Sequence, residues 1–252
     1  MMRETLVFGP IHSRRLGSSL GINLLPERGK LCNFDCIYCE CGWNADGLGD
    51  RRLPTAEELR EALRAKLTAC REAGTPIDSI TFSGDGEPTL NPEFPEMIDI
   101  TLALRDAFFP AAKVSILSNA TRIGREAVFE ALRKVDNPIL KIDAATTELV
   151  RRINRPVGGG YDLDEVVANL RRFEGNFILQ TMFLRCPDFD STAPENVEGW
   201  LRIVRELRPR EVMVYTVDRE TPLKGIAKVS PEEMAEIVRP LVEEGFKIQI
   251  RG

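Results

Sequence analysis

The feature that most restricts the fold is a rhythm in the chain. Short β-branched, apolar segments alternate with longer segments that carry helix-start signals. The apolar segments fall at 19–24, 79–83, 114–118, 139–143, 177–183 and 211–215. Thr55 with Glu58 reads as an N-cap with its capping box, and Asp162 with Glu165 and Thr192 with Glu195 repeat that spacing. Ser230-Pro231-Glu232-Glu233 adds proline at the first helical position, where its missing N–H costs nothing. Further helices are expected near 93–106 and 125–134, and 246–250 alternates like one more strand. Six β-α units in succession predict an α/β fold: a partial (β/α)6 barrel of parallel strands with outer helices, or a doubly wound sheet with the same period.

Composition narrows the class. Of 252 residues, 43% are apolar and 29% charged, the balance of a packed globular core. No proline- or glycine-rich linker divides the chain, so 1–252 is expected to form one domain, with 1–18 as an N-terminal extension. The longest apolar stretches, such as 108–112, fall far short of the roughly 20 residues of a membrane span. The N-terminus shows no apolar segment ending in a small-residue cleavage site, which points to the cytoplasm, where thiols stay reduced. Six cysteines there need a purpose other than disulfides. The net charge of −5 argues against a generally basic nucleic-acid coat and leaves room for a local basic face.

Strand alternation assigns the side chains to two faces. Leu140 and Ile142 must meet the helices, which turns Ile139, Lys141 and Asp143 to the interior. By the same reasoning Thr81 and Ser83, Leu117 and Asn119, Gln180 and Met182, Met213 and Tyr215, and Gly21 and Asn23 point inward. So polar an interior is costly without partners. It fits a polar ligand cavity at the strands' C-terminal ends.

The first strand is followed by about 30 residues before its helix, far beyond the usual connection of about 2–6. This loop, 26–53, holds Cys32, Cys36 and Cys39 in the pattern C-x3-C-x2-C. Three thiolates so close in sequence can converge on one soft metal centre. With Cys41 as fourth ligand the site is a closed zinc or iron–sulfur knot. With three ligands a cubane cluster keeps one iron open to a small chelating molecule.

This motif, with Tyr38 before the last cysteine and in the loop after the first strand, resembles the signature of the radical S-adenosylmethionine (SAM) superfamily. The segment Ser83-Gly84-Asp85-Gly86-Glu87-Pro88 at the end of the second strand is similar to that family's Gly-Gly-Glu-Pro segment, with Asp85 standing where the first glycine often does. The resemblance implies that Cys32, Cys36 and Cys39 ligate a [4Fe-4S] cluster. It implies that Gly84, Asp85, Gly86, Glu87 and Pro88 grip the methionyl amino group through their backbone, and that Tyr38 lies near the adenine. Asn119 and Asp143, at strand ends, resemble the polar residues that complete the SAM site, against the plainer roles of turn residue and helix cap. The implied chemistry is one-electron cleavage of SAM to a 5′-deoxyadenosyl radical that takes hydrogen from a substrate. Flavodoxin or ferredoxin is the implied electron donor.

A narrower resemblance runs through Phe8-Gly9-Pro10-Ile11-His12-Ser13-Arg14-Arg15-Leu16-Gly17, Lys141-Ile142-Asp143-Ala144 and Arg151-Arg152-Ile153-Asn154-Arg155-Pro156. These segments look like the branch of wyosine-forming tRNA enzymes, in which a lysine joins pyruvate as a Schiff base. That branch carries a second cluster on cysteines upstream of the main motif, and no cysteine precedes Cys32 here. The radical SAM core therefore carries over and the wyosine reaction does not. Lys141 is then a candidate substrate lysine, or an ion-pair partner of Asp143. Arg14, Arg15 and Arg155, with Arg51, Arg52, Arg151 and Arg152, form a candidate basic rim for RNA phosphates or an anionic small molecule, unless they pair with nearby carboxylates. Gln180 and Tyr215 complete the candidate substrate contacts. The substrate classes left open are tRNA, a small molecule and a peptide; a metal-knotted binding protein is the non-enzymatic alternative.

Overall fold

The computed structural model describes residues 5–13, 17–47 and 49–252. Its contacts group into two compact units, Met1–Cys32 with Asn44–Ser118 and Gly124–Pro138, and Asn33–Trp43 with Asn119–Ile123 and Ile139–Gly252.

The first unit contains β1 (Val7–Ser13), β2 (Gly17–Ile22), β3 (Ser79–Phe82) and β4 (Lys113–Ser118), paired in that order. β2, β3 and β4 are parallel, and β1 folds back antiparallel on β2. The expected N-terminal extension thus contributes a strand, which the irregular Phe8-Gly9-Pro10 run concealed. Helices α1 (Ala56–Glu72), α2 (Phe94–Phe108) and α3 (Glu126–Lys134) follow β2, β3 and β4 in turn. α1 starts at Thr55 with the full capping box and buries Ala56, Leu59, Leu63, Leu67 and Cys70, one stripe at helical spacing. Each buried leucine of that stripe contributes about 1.5–3 kcal/mol. Part of the polar interior is a ladder of buried hydroxyls: Thr81 bonds Ser19 at 2.9 Å and Ser79 at 3.0 Å, and Asn137 donates to Ser115 at 3.0 Å.

The second unit takes up most of β5 (Asn137–Lys141), then β6 (Ile178–Met182), β9 (Glu211–Tyr215) and β10 (Ile248–Arg251), all parallel neighbours in that order. Between β5 and β6 lie α4 (Thr147–Asn154) and α5 (Leu163–Arg171). A small hairpin, β7 (Arg185–Cys186) with β8 (Phe189–Asp190), precedes α6 (Pro194–Leu207), and α7 (Pro231–Glu243) precedes β10. The six expected β-α units are therefore present among the described residues, with strands β2, β3, β4, β5, β6 and β9. Trp200 of α6 is fully buried, packs edge-on against Phe183 at 5.3 Å and donates its indole N–H to Thr181 at 2.9 Å.

Thr192 does not start α6; Ala193 stands at the N-cap and makes no side-chain cap bond. Thr192 instead turns onto Asp190, whose carboxylate accepts from its N–H at 2.7 Å and its hydroxyl at 2.6 Å. A nearby acceptor thus won over the helix start. Asp162 does cap α5, accepting from the Asp164 N–H. Ser230 caps α7 within a capping box completed by Glu233.

Leu31 runs beside Gly86, its N–H donating to the Asp85 carbonyl at 3.0 Å and its carbonyl accepting from Glu87 at 3.1 Å. Gly86 has φ +145°, and a Cβ there would sit 1.8 Å from the Leu31 oxygen. Gly86→Ala is expected to cost at least about 1–3 kcal/mol, read as a lowered denaturation midpoint. An unchanged midpoint contradicts this packing. Glu233 accepts from the Arg185 guanidinium at 2.9 Å and from the Ser230 N–H at 2.9 Å, which lowers its carboxyl from an ordinary 4.5 to about 2. A lowered folded value means that the carboxylate supports α7 above pH 4.5 and that this support is lost as the pH falls toward 2. Proton titration by NMR should find that midpoint, and Arg185→Ala should move it upward; a midpoint near 4.5 in the native chain refutes the pairing.

Candidate functional site

In the first unit the segment after β3 is held by its own side chains and by β2. The Asn23 carboxamide oxygen accepts the N–H groups of Leu25 and Asp85, each at 3.2 Å. A Cβ on Gly84 would fall 1.9 Å from that oxygen, so glycine permits the close approach. Glu87 is buried, and its carboxylate accepts from the Thr89 N–H at 3.1 Å, the Thr89 hydroxyl at 2.6 Å and the Ser118 hydroxyl at 2.9 Å. It thereby caps the short 3-10 turn Pro88–Leu90. Asn91 donates to the carbonyls of Leu24 at 3.1 Å and Pro54 at 3.0 Å. Glu87 and Asn91 thus support the scaffold of this segment. Cys32 follows directly on Leu31 and is half-buried.

In the second unit the cysteine loop lies along the end of α4. Asp35 N–H bonds the Asn154 carbonyl at 2.8 Å, Ile37 N–H bonds that of Ile153 at 3.0 Å, and Val157 N–H returns to Asn33 at 2.9 Å. This clamp turns Cys36 and Tyr38 inward onto Lys141, Asp143 and Asn154. The Asp143 carboxylate, 1% exposed, accepts from the Tyr38 hydroxyl, from the Asn154 amide at 2.6 Å and from the Met182 N–H at 3.0 Å. Lys141 Nζ lies 3.2 Å from Cys36 Sγ, 3.1 Å from Tyr38 Oη and 3.5 Å from Asp143 Oδ2. It also stands over the rings of Phe34 and Tyr38, at 5.2 and 5.3 Å. The Asn154 amide makes a second contact, to Cys36 Sγ at 3.3 Å. Burial pushes the Cys36 thiol up, with Lys141 opposing, and burial followed by Asp143 pushes the Tyr38 phenol up further. Burial alone would lower Lys141, but Cys36 and Asp143 outweigh it and keep the ammonium charged. Tyr161, edge-on to Phe34 at 5.4 Å, is also raised by burial.

The other expected residues fall as follows. Asn119 donates to Asn33 at 2.8 Å and accepts from the Thr121 hydroxyl at 2.7 Å, so it shapes a turn and ties it to the loop. Asp143 is not a helix cap, since Thr146 caps α4. Gln180 is buried in lateral register with Lys141 and Met213, and Tyr215 lies beside Met182 and adds to the electrostatics of Lys141 and Tyr38. Arg155 is exposed, with its guanidinium 4.9 Å above Trp43. Arg14 and Arg15 lie outside the described residues. Of the remaining rim, Arg52 pairs with Glu58, Arg152 with Asp188 at 2.8 Å, and Arg151 donates to the Tyr161 carbonyl at 3.1 Å. These three serve local structure. Asn154, Phe34 and Tyr161 received no role from the sequence. The readable signal was Asn154 itself, an amide on the stripe that also buries Val150 and Ile153.

Among the described residues, which include all six cysteines, there is no disulfide, and no three His, Cys, Asp or Glu side chains are gathered as a metal-binding group. The donor chemistry of three thiols at this sequence spacing, none joined in a disulfide, suits an iron–sulfur cluster. No helix among those residues is long and apolar enough to cross a membrane.

Comparison with known proteins agrees with the motif. Residues 27–185 match the Radical SAM superfamily. A UPF0026 protein of Synechocystis sp. is 31% identical over 224 residues, covering 86% of this chain and 77% of the relative. A radical SAM methyltransferase from Sphaerobacter thermophilus is similar in fold, with a TM-score of 0.68 at 20% identity over 92% of this chain; the chain spans 66% of that protein. A structure of TYW1 with a lysine–pyruvate adduct bound has a TM-score of 0.64 at 15% identity, covering 91% of this chain and 75% of that one. The parallel α/β fold is thus of the radical SAM type. The chain is an enzyme of the radical SAM superfamily and is related to the UPF0026 proteins.

Proposed function

We propose that this chain uses a [4Fe-4S] cluster and SAM to abstract hydrogen from a substrate, with tRNA as the substrate class and a small molecule or a peptide as alternatives. The observation that carries the reading is the C-x3-C-x2-C loop, free of disulfides, inside the family match. When bound, the cluster and SAM supply one-electron cleavage chemistry that side chains alone cannot perform. The chain's residues bind, orient and shield. In this reading 26–53 is the cluster-binding loop, and Cys32, Cys36 and Cys39 would hold the iron. The backbone of Gly84, Asp85, Gly86, Glu87 and Pro88 would take the methionyl amino group, while Tyr38, Asn119 and Asp143 would supply the remaining SAM contacts. The rigid support of Glu87 by Thr89 and Ser118 favours such a role, since it fixes the backbone before any ligand arrives.

Lys141 has its ammonium engaged by Cys36, Tyr38 and Asp143, contacts that favour an ion-pairing role over a substrate lysine. Gln180 and Tyr215 remain the substrate-side candidates on the same strands. The reducing electron would come from a small carrier such as flavodoxin or ferredoxin in the cytoplasm. For tRNA, the exposed Arg155 stacked on Trp43 offers a flat cationic surface that suits phosphates and bases.

Anaerobic reconstitution should load about four irons per chain and support reductive SAM cleavage. Cys32→Ala, Cys36→Ala or Cys39→Ala should each abolish cleavage and most of the iron. Stoichiometric zinc with no SAM turnover in the native chain overturns the reading. Retention of tRNA should fall with added salt and weaken in an Arg14→Ala, Arg15→Ala double variant. Retention unaffected by both removes tRNA in favour of the alternatives.

A further inference from the structure

We propose that Lys141 and Asn154 are positioning residues that raise the reduction potential of the cluster through hydrogen bonds to the Cys36 sulfur. The inference rests on the reading of Cys32, Cys36 and Cys39 as cluster ligands and adds a function for two residues beyond ligation.

Cys36 is the buried member of the cysteine motif, 6% exposed, while Cys32 and Cys39 are half-buried. Its sulfur meets two side-chain donors brought from distant parts of the chain, Lys141 Nζ at 3.2 Å from the end of β5 and Asn154 Nδ2 at 3.3 Å from the end of α4. Packing does not require an amide at 154. Val150 and Ile153 fill the same buried stripe with hydrocarbon. The amide instead bridges two acceptors, the Cys36 sulfur and the Asp143 carboxylate.

A cluster that gains an electron gains negative charge, part of which spreads onto its thiolate ligands. Donors and a positive charge beside such a sulfur stabilise the reduced form and raise the potential, most strongly where water is excluded. Asp143 acts in the opposite sense by charge, yet it anchors both donors, at 2.6 Å from Asn154 and 3.5 Å from Lys141. The set therefore has two groups that favour reduction and one that opposes it. That balance distinguishes electrostatic tuning from simple support of the fold.

The test uses the full chain, reconstituted anaerobically, with iron and sulfide analysis followed by an EPR-monitored redox titration without SAM. At the native midpoint, the ratio of reduced to oxidised cluster should fall about tenfold in Lys141→Met, which is about 59 mV for a one-electron couple. It should fall less in Asn154→Leu, stay near native in Lys141→Arg and rise in Asp143→Asn. Loaded clusters with native potentials in both Lys141→Met and Asn154→Leu overturn the inference and leave the ligand reading intact. Loss of the cluster from these two and from Lys141→Arg assigns the residues to folding and also overturns it. A native chain that takes up no iron overturns the ligand reading instead.

Discussion

A buried carboxylate needs donors, and the way Asp143 obtains them organises the second unit. Its three bonds come from a loop tyrosine, a helix-end asparagine and a strand N–H, so loop, helix and strand are fixed relative to one acceptor. An unpaired buried carboxylate would ionise only at a cost of several kcal/mol. Here the cost is offset by hydrogen bonds and by Lys141 at 3.5 Å. The arrangement holds Cys36 and Tyr38 in place through partners that they share with Asp143.

The first unit solves a similar problem with different chemistry. Glu87 is also a buried carboxylate, and it accepts from a backbone N–H and from two hydroxyls. Its bonds set the turn that follows Gly86 and tie that turn to the end of β4 through Ser118. The two carboxylates therefore do different work: Glu87 sets a backbone, and Asp143 orients side chains.

Much of this was legible in the sequence, for identifiable reasons. Period-2 alternation sent Lys141 and Asp143 to the same side, and they are within 3.5 Å. The caps at Thr55 and Ser230 could be read because their partners lie three residues away. Thr192 misled because its best acceptor, Asp190, precedes it in a hairpin that spacing rules do not describe. Helix α4 was missed for want of length: its eight residues are strongly amphipathic but span only about two turns, too few for the spacing to stand out. The role of Asn154 depends on Cys36, 118 residues away, and no local pattern could have joined them.

The backbone pairing of the loop with α4 has an evolutionary and engineering corollary. Asp35 and Ile37 are registered against Asn154 and Ile153 one by one, so a single inserted residue on either side would carry Cys36 away from its amide. Length variation in this part of the chain should accumulate elsewhere, for instance at the glycine run 158–160, where added side chains would meet open space. Anyone transplanting the cysteine loop into a related scaffold would need to move the C-terminal turn of α4 with it, as one inseparable cassette.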